Sequence, residues 1–338
     1  MKRAVAVYFH DGRSLTKDFL KELKWLHECW DLITNEYVLI DLFIFTDPQS
    51  ADVIPKEWEC VPYEKVDETK PNCIIVEHTP PNTETFRNYK NLYSLEFFAS
   101  EDGKVLDDYD LVMRTDIDVF LTPFFGSWFP QGFVVGKGGY GYHIYTQRRL
   151  RRIAKKLGLT HRGMHNLGPT WYGPGKRIRE VAELSMKTAI YIWENELDEP
   201  TIWPKWWKTA VMYGSEIALN HLVPDLIYSP ELIDVQASEK NMNVYKLAHI
   251  HAMHTAQPFN KFVFQRGCYD NMNVTGLDFT KVPEYCVYMA LRGNKLIKPV
   301  ANAFPLFPRP HHPVLKNAVW PKINYNTLLT AQFKCPTK

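Results

Sequence analysis

Short apolar runs alternate with segments of helical period along the N-terminal part of the chain. Apolar positions recur every three to four residues over 16–33 and 83–99, which predicts two amphipathic helices. The apolar runs are rich in β-branched and aromatic residues, and they predict strands at 4–9, 38–47, 72–78, 110–116 and 132–136. Strands that alternate with helices predict an α/β fold with a mostly parallel central sheet flanked by helices.

The rest of the chain is less regular. Glycine and proline punctuate 166–175, which predicts a tight loop, and a helix is predicted over 177–196. Six prolines with interleaved apolar residues, from Pro299 to Pro321, predict an extended strap over the domain. The basic run 148–156 predicts a solvated helix face, with an anion site as the alternative.

Charge and hydropathy exclude two classes of protein. The formal net charge of +2 lacks the strong basic excess of a general nucleic-acid binder. No apolar stretch approaches the roughly 20 residues that span a bilayer. The N-terminal segment turns polar too early for a signal peptide. We therefore expect a soluble, cytoplasmic protein that has no membrane span and no nucleic-acid partner.

Cysteines and tryptophans add two further expectations. The six cysteines show no C-x-x-C spacing, so they are predicted to be reduced and mostly buried, as in a cytosolic protein. Aromatic residues make up 14% of the chain, and their flat faces suit both core packing and stacking on sugar rings. Trp203, Trp206 and Trp207 lie together in TIWPKWWK. This cluster predicts a partly exposed wall that binds a ligand, with a packed corner as the alternative.

The strand predicted at 110–116 runs out into two carboxylates, Asp116 and Asp118. A second D-x-D, formed by Asp108 and Asp110, precedes this strand instead of following it. Ligands of open α/β sheets lie beyond the carboxyl ends of the strands, so only the later pair is placed for chemistry. Carboxylate oxygens are ligands for Mg²⁺ or Mn²⁺, which predicts a divalent metal here; a pair of solvated loop carboxylates is the alternative.

Other polar residues are predicted near the same edge. His10 and Asp11 follow the first strand and are expected to line a nucleotide site together with the D-x-D. Arg87 and Lys90 share the polar face of the helix predicted at 83–99. They are candidates for contacts with a nucleotide phosphate or base, and an ordinary solvated face is the alternative.

A histidine cluster lies in the segment LAHIHAMHTAQPFNKF. Residues 247–252 read as a strand, which would place His249 and His251 on the same face. His254 follows the strand end, where it could ligate a metal held by the D-x-D. Lys261 would then place a positive charge on a departing diphosphate.

These motifs together resemble the A-type glycosyltransferases. That family has a D-x-D, a later acidic-x-x-x-Leu-Asn segment, and a histidine six residues before a lysine. Here the motifs read Asp116-Ile117-Asp118, then GSEIALN with Glu216 and Asn220, then His254 and Lys261. The histidine-to-lysine spacing is one residue longer than in the family, and Ser-Glu replaces Asp-Gln at the start of the acidic segment.

The resemblance implies a glycosyltransferase domain over 1–265, with a nucleotide-sugar half (1–136), an acceptor half (137–265) and a packed extension (266–338). It implies Mn²⁺ or Mg²⁺, a UDP- or GDP-linked sugar donor, and a glycan or glycoprotein acceptor. The pattern is that of glycogenin-like and bacterial galactosyltransferase-like members. Such soluble enzymes also occur in bacteria and in large algal viruses, and a virus-encoded enzyme would act in the host cytoplasm. The expected metal ligands are Asp116, Asp118 and His254, and the expected catalytic residue is Glu216. The expected donor-binding residues are His10, Asp11, Arg87, Lys90, Asp116, His251 and Lys261. The expected acceptor-binding residues are Asn166, Trp171, Trp206 and Trp207.

Two other classes of function stay open. The first is a zinc hydrolase built on His249, His251 and His254, because H-x-H pairs ligate zinc in several hydrolases. The second is a carbohydrate-binding protein without catalytic activity that uses the tryptophan cluster. His251 also remains an alternative to His254 as the metal ligand.

Overall fold

The computed structural model describes residues 1–11, 16–196, 206–253 and 259–300. The strands are Arg3–Phe9 (β1), Asp41–Thr46 (β2), Val61–Pro62 (β3), Cys73–Glu77 (β4), Leu111–Thr115 (β5), Val119–Leu121 (β6), Val134–Lys137 (β7), Leu167–Gly173 (β8), Ile227–Tyr228 (β9), Val235–Gln236 (β10) and His249–His251 (β11). The α-helices are Thr16–Ile33 (α1), Pro48–Ala51 (α2), Glu84–Asn88 (α3), Tyr93–Ala99 (α4), Pro123–Ser127 (α5), Ile144–Lys156 (α6), Gly175–Asn195 (α7), Ala210–Leu222 (α8), Lys261–Gln265 (α9) and Val282–Gly293 (α10).

The chain divides into two compact units. Unit 1 comprises Met1–Leu20, Leu39–Ile117 and Phe129–Val235. Unit 2 comprises Lys21–Val38, Asp118–Trp128 and Gln236–Lys338. The predicted domain limits at residues 136 and 265 stay a prediction.

An eight-stranded sheet forms the centre of unit 1, in the order β3-β4-β2-β1-β5-β8-β7-β9. Strand β8 runs antiparallel to both of its neighbours, and the other pairings are parallel. Helices α4, α7 and α8 pack against one another or against these strands. The predicted α/β fold with a mostly parallel central sheet flanked by helices is therefore confirmed.

The central strands are apolar because both faces of the sheet are covered. Five of the seven residues of β1 are fully apolar and buried, and β2 is buried from Leu42 to Thr46. Phe43 and Phe45 point to one face and belong to the same core cluster as Phe97 and Phe98 of α4. Such runs read as strands in the sequence because fully covered parallel strands need apolar side chains on both faces.

A smaller sheet has the strand order β10-β11-β6, and its strands β11 and β6 belong to unit 2. Strands β6 and β11 are antiparallel, with His251 opposite Val119 and His249 opposite Leu121. Helix α10 is buried along most of its length, and the hydroxyl of Tyr285 donates a hydrogen bond to the carbonyl of Leu121. This bond ties the helix to the end of β6.

The prediction of a loop at 166–175 is wrong, because most of this segment forms the buried strand β8. The glycines that suggested a turn instead allow neighbouring side chains to approach the backbone of β8 closely. A Cβ atom on Gly168 would lie 2.2 Å from Asp234 Oδ2, and one on Gly173 would lie 2.6 Å from the ring of Phe133. Glycine in a strand often marks such an approach of neighbouring groups.

The single helix predicted over 83–99 is interrupted at Tyr89, whose φ and ψ are −131° and 73°. Its ring stacks on Trp193 with centroids 4.5 Å apart, and its hydroxyl accepts a hydrogen bond from the Val211 amide. These contacts hold Tyr89 in the core and break the helix into α3 and α4, with a short 3₁₀ helix at Lys90–Leu92 between them.

The prediction that all cysteines are reduced is wrong for three of them. Cys60 and Cys73 form a disulfide, with Cα atoms 4.5 Å apart, and Cys268 is also disulfide-bonded. Cys29 and Cys286 are free and buried, as predicted. The expected cytoplasmic location stays a prediction and loses its cysteine argument. Within the described ranges, no helix has the length and apolar character needed to cross a bilayer.

Candidate active site

Polar residues follow four adjacent parallel strands of the large sheet at their carboxyl ends. Phe9 of β1 pairs with Thr46 of β2, and Val7 pairs with Thr115 of β5. The residues that come next in the chain are His78 after β4, Asp47 after β2, His10 and Asp11 after β1, and Asp116 after β5. The structure therefore places His10, Asp11 and Asp116 along one edge of the sheet in unit 1, where open α/β sheets bind ligands.

Hydrogen bonds organise the β1 and β2 part of this edge. Nδ1 of His10 lies 2.9 Å from Oδ2 of Asp47, and the Asp11 amide donates to Oγ of Ser50 at 2.7 Å. Burial alone would raise the pKa of Asp47, but hydrogen bonds from Ser50 and His10 hold it below its ordinary value. Oδ1 of Asp11 is buried and accepts no hydrogen bond from the part of the chain that the structure describes.

Asp116 lies above a buried arginine of β5. The guanidinium of Arg114 donates to the carbonyls of Pro169 (2.6 Å) and Ser94 (3.0 Å), and it lies 5.0 Å from the centroid of Trp171. The same guanidinium is 3.8 Å from Oδ1 of Asp116. Burial lowers the pKa of Arg114, while the charge of Asp116 raises it. Asp116 thus has a partly exposed carboxylate beside a fixed cation.

Asp118 is the first residue of its segment of unit 2, and the β6–β11 pairing brings it beside His251. The Ala252 amide donates to the Asp118 carbonyl at 2.9 Å, which extends the ladder to Asp118. Oδ1 of Asp118 lies 3.3 Å from Nε2 of His251. Nζ of Lys261, the first residue of α9, donates to Oδ2 of Asp118. All three side chains are largely buried.

His251 and Lys261 together outweigh the effect of burial on Asp118. Removal from water alone would raise the pKa of this carboxyl, because burial penalises the charged form. His251 and Lys261 oppose this by charge and by hydrogen bonding, and together they hold the pKa of Asp118 far below its ordinary value. Asp118 is therefore ionised over the whole physiological range.

The histidine predictions divide into three outcomes. His251, which the resemblance placed with the donor, is the histidine beside Asp118. His249 is fully buried on the same strand. His254, the predicted metal ligand, lies outside the described residues. An oxygen of Asp118 and a nitrogen of His251 at 3.3 Å form a donor set that fits Mn²⁺, which accepts both atom types.

Glu216 lies in a separate cluster within unit 1, on helix α8. Its Oε1 is 2.7 Å from Nδ1 of His165 and 3.5 Å from Nε2 of His161, and its Oε2 accepts from the Asn166 amide at 2.6 Å. Burial raises the pKa of Glu216, but the nearby His161 and the hydrogen bonds with His165 and the Asn166 amide hold it below its ordinary value.

The two histidines of this cluster each direct an N–H group towards Glu216. Nε2 of His165 accepts from Arg151 at 2.9–3.1 Å, and Nδ1 of His161 accepts from the Gly163 amide at 3.1 Å. Each neutral ring therefore carries its proton on the nitrogen that faces Glu216.

This proton arrangement does not suit a metal. The ligand atoms of His161, His165 and Glu216 lie within 4.8 Å of one another, which is close enough to surround an ion. A histidine that ligates a metal, however, normally donates its outer N–H to an acceptor. Here the outer nitrogens, Nε2 of His165 and Nδ1 of His161, accept hydrogen bonds from N–H donors. The inner nitrogens therefore carry the protons and are not free to ligate a metal.

The predicted role of Glu216 as a general base does not match these surroundings. A base needs an oxygen that can face the substrate and a pKa near the working pH. Glu216 is buried, both of its oxygens face N–H donors, and its pKa is lowered. The arrangement suits a residue that anchors the segment from His161 to Asn166.

The side chain of Asn166, which was predicted to bind the acceptor, instead forms hydrogen bonds with the backbone of a neighbouring loop. It has a positive φ of 62°, donates from Nδ2 to the Gly138 carbonyl at 2.6 Å, and accepts at Oδ1 from the Gly141 amide at 3.0 Å. Trp171, predicted to bind the acceptor as well, is fully buried in the core of β8. A platform for a sugar must be exposed, so that prediction is wrong for Trp171.

Comparison with known proteins places the chain in a family. A domain of unknown function, DUF7164, matches residues 1–298. The chain belongs to the DUF7164 family. No curated protein matches it.

Among solved structures, the chain is similar to the apo form of WbbM, a bifunctional glycosyltransferase. The identity is 12% and the TM-score is 0.40 over 78% of this chain. The match covers 49% of WbbM, so this chain spans about half the length of that protein.

For the remaining predicted residues of the DUF7164 domain, the structure gives other contacts or no description of the side chain. Arg87 donates to the carbonyl and the side chain of Asn82, and Lys90 is exposed at the start of a 3₁₀ helix. Trp206 and Trp207 belong to the 3₁₀ helix Trp206–Thr209, and their side chains are not described. Trp203 lies outside the described residues.

Sequence reasoning missed His161, His165 and Arg151. The spacing H-x-x-x-H was visible, but the partner of both histidines is Glu216, more than fifty residues later. A search for histidine pairs together with the acidic residue of the segment GSEIALN could have suggested the cluster.

Proposed function

We propose that this DUF7164 protein is a metal-dependent glycosyltransferase that moves a sugar from a nucleoside diphosphate sugar to a hydroxyl group of a glycan or another acceptor. The observation that carries the proposal is the convergence of Asp118, His251 and Lys261 at one end of the smaller sheet. A carboxylate and an imidazole suit a divalent metal, and a lysine ammonium suits the phosphates that such a metal binds.

Asp118 and His251 would hold the metal, with Mn²⁺ preferred because the pair offers one oxygen and one nitrogen. Asp116 is the second proposed carboxylate, because only Ile117 separates it from Asp118 in the chain. When bound, the metal would offset the charge that develops on the leaving diphosphate.

Lys261 has the role of a movable cation in this proposal. Without substrate its ammonium neutralises Asp118. If Asp118 held a metal, the ammonium group of Lys261 would be free to contact a phosphate oxygen. The buried charge of Lys261 thus has a partner in both states, which avoids the high cost of an unpaired buried ion.

The carboxyl edge of unit 1 supplies groups for the nucleoside. Asp11 presents an oxygen that accepts no hydrogen bond within the described ranges, and a ribose hydroxyl would satisfy it. The imidazole of His10 contacts Asp47, and its ring is nearly parallel to the ring of Tyr8, with the two centroids 6.4 Å apart.

The test is a thermal-shift screen of the purified full chain with UDP, GDP and several nucleotide sugars, each with and without Mn²⁺. A nucleotide at about 100 times its Kd stabilises a protein by about 2.7 kcal/mol, which gives a measurable rise in Tm. We expect a metal-dependent rise that Asp118→Asn abolishes. The matched control is Asp110→Asn, in the other D-x-D, whose side chain is 61% exposed; it should retain the rise.

Two results would contradict the proposal. One is the absence of any nucleotide-dependent shift in a protein that melts cooperatively. The other is stabilisation by Zn²⁺ alone with no effect of nucleotide, which would favour the zinc hydrolase. Enzymatic transfer is then measured as release of UDP or GDP from the nucleotide sugar that gives the largest shift.

A further inference from the structure

Acidic residues are missing from a long stretch of unit 1. No Asp or Glu occurs between Asp118 and Glu180, whereas eleven Lys or Arg residues do. Helix α6 lies within this stretch, and one of its faces is exposed at Tyr145, Arg148, Arg152 and Lys155. Positions spaced by three and four residues are neighbours on a helix, so these side chains form one stripe.

Helix α7 of the same unit shows how an ordinary solvated face is built in this protein. There Arg177 pairs with Glu180 at 3.1 Å, and Lys187 pairs with Glu183 at 2.5 Å. These pairs use the favourable i,i+3 and i,i+4 spacings. Its exposed cations are thus neutralised along the helix itself.

Helix α6 contains no acidic residue that could form such pairs within the helix. Glu196 contacts Arg152 at 3.6 Å, but within the described ranges no carboxylate pairs with Arg148 or Lys155. Like charges three or four residues apart repel each other. An anionic ligand would relieve this repulsion, so the stripe has charge complementarity with a polyanion.

Exposed aromatic rings lie at the N-terminal end of the stripe. Tyr142 is 61% exposed and Tyr145 is 60% exposed. The ring of His143 stacks on Tyr145 with centroids 5.3 Å apart, and Nζ of Lys137 lies 5.8 Å from the centroid of Tyr142. Tyrosine presents a flat apolar face with a polar tip, which suits contact with the C–H face of a sugar.

Hydrogen bonds hold the loop that carries Tyr142 and leads into helix α6, where Tyr145 lies. Asn166 bonds to Gly138 and Gly141, as described above, and Nε2 of Gln147 donates to the Gly141 carbonyl at 2.9 Å. Glu216 in turn holds the Asn166 amide. A backbone fixed in this way presents its aromatic side chains with little loss of conformational entropy on binding.

We propose that Tyr142, Tyr145, Arg148 and Lys155 form a binding surface for an anionic oligosaccharide that carries carboxylate or sulfate groups. The tyrosines stack on sugar rings, and the cations pair with the acidic substituents. Its use as the acceptor site rests on the proposed transferase function, whereas binding itself does not. A saccharide fits better than a nucleic acid because the cations are confined to a stripe about 15 Å long, and the whole chain carries a charge of only +2.

The test measures binding of the full chain to labelled oligogalacturonate and to a heparin-derived oligosaccharide by fluorescence anisotropy. A neutral malto-oligosaccharide and single-stranded DNA of matched charge serve as comparison ligands. The variants are Arg148→Glu with Lys155→Glu, and separately Tyr142→Ala with Tyr145→Ala. The charge-matched control is Lys176→Glu with Lys187→Glu on α7.

We expect an acidic oligosaccharide to bind at least tenfold more tightly than the neutral one. Each surface variant should weaken that binding about tenfold, and the α7 control should not. Tighter binding of carboxylated or of sulfated chains identifies the substituent. Equal weakening by the α7 control, insensitivity to loss of the tyrosines, failure of both acidic saccharides to bind, or tighter binding of DNA would each overturn the proposal.

Conservative variants guard against misfolding. Tyr145→Phe and Arg148→Lys keep the ring and the charge, so they should bind within about threefold of the wild type. The Mn²⁺-dependent thermal shift with UDP or GDP is recorded on every variant and should be retained. A missing nucleotide shift in the wild type would count against the transferase alone, because saccharide binding is scored independently.

Discussion

Nζ of Lys261 donates a hydrogen bond to Oδ2 of Asp118, across 143 residues of sequence. The same carboxylate has His251 on its other oxygen. Asp118 therefore has two positive or potentially positive partners, and a divalent metal that binds Asp118 must displace the ammonium group. The strength of metal binding is then set partly by this lysine.

Replacement of Lys261 by methionine should strengthen metal binding and weaken nucleotide binding. Near a protein surface two unit charges 4 Å apart interact by about 4 kcal/mol, so removal of the competing ammonium should tighten Mn²⁺ binding by tenfold or more. The variant should also lose the UDP- or GDP-dependent rise in Tm, because the phosphate partner is gone. Calorimetric titration with Mn²⁺ measures the first effect.

Lys21→Met is the control for this measurement. Lys21 is in unit 2 and donates to the Gln265 carbonyl, so its loss changes the net charge by the same amount. It should leave the Mn²⁺ affinity unchanged. If Lys261→Met bound Mn²⁺ no more tightly than the wild type, the ammonium would not be a competitor and the proposed exchange would be wrong.

Replacement of Asp118 by asparagine should lower stability in a pH-dependent way. The variant leaves Lys261 as an uncompensated buried charge, which costs about 3 kcal/mol at pH 7. The pKa of Asp118 is lowered in the folded protein, so its contribution is complete above the unfolded pKa of about 3.9 and is lost as the pH falls below it.

The measurement is urea-induced unfolding of the wild type and Asp118→Asn between pH 7 and pH 3. The difference in the free energy of unfolding should be constant down to about pH 4 and then shrink. A difference that stays the same down to pH 3 would show that Asp118 has an ordinary pKa.

Replacement of Glu216 by glutamine should destabilise the protein. The amide would place a donor against the N–H groups of His161, His165 and Asn166, and unsatisfied buried donors cost about 2–4 kcal/mol in total. The wild-type advantage should decline below about pH 4, because the pKa of Glu216 is lowered in the folded protein. Urea unfolding measures both effects.

Glu183→Gln provides the reference for that change. Glu183 is half exposed and pairs with Lys187, so its replacement should alter stability by no more than about 0.5 kcal/mol. A Glu216→Gln variant with wild-type stability but no transferase activity would restore the role of Glu216 as a general base and contradict the anchoring role.

Much of the fold followed from local pattern. Strands β1, β2, β4 and β5 are short apolar runs, and their parallel pairing follows from the helices between them. The position of Asp116 at the same sheet edge as His10 and Asp11 followed from the same reasoning, since neighbouring parallel strands end at one edge. These apolar runs identify the strands because strands covered on both faces carry apolar side chains on both faces.

Long-range contacts account for what could not be predicted. The glycines of β8 look like turn residues, and only Asp234 and Phe133 explain them as points of close approach. Glu216 looked like a free carboxylate because its partners lie fifty or more residues away. Spacing in sequence reports the period of an element and carries little information about which distant side chain will contact it.

The disulfide between Cys60 and Cys73 yields the last prediction. It closes a loop with a sequence separation of 13, and a cross-link of that size stabilises a fold by about 3 kcal/mol in the chain-entropy account. The variant Cys60→Ser with Cys73→Ser should therefore be about 3 kcal/mol less stable than the oxidised wild type in urea unfolding without reductant.

Reductant supplies the matched comparison for this variant. It removes the Cys60–Cys73 cross-link from the wild type alone, whereas any effect on Cys268 is common to both proteins. The stability difference between wild type and variant should therefore shrink towards zero under reduction. Peptide mapping without reductant should recover Cys60 and Cys73 in one cross-linked species. Recovery of both as free thiols, in protein purified under oxidising conditions, would restore the expectation of reduced cysteines, and with it the argument for a reducing compartment.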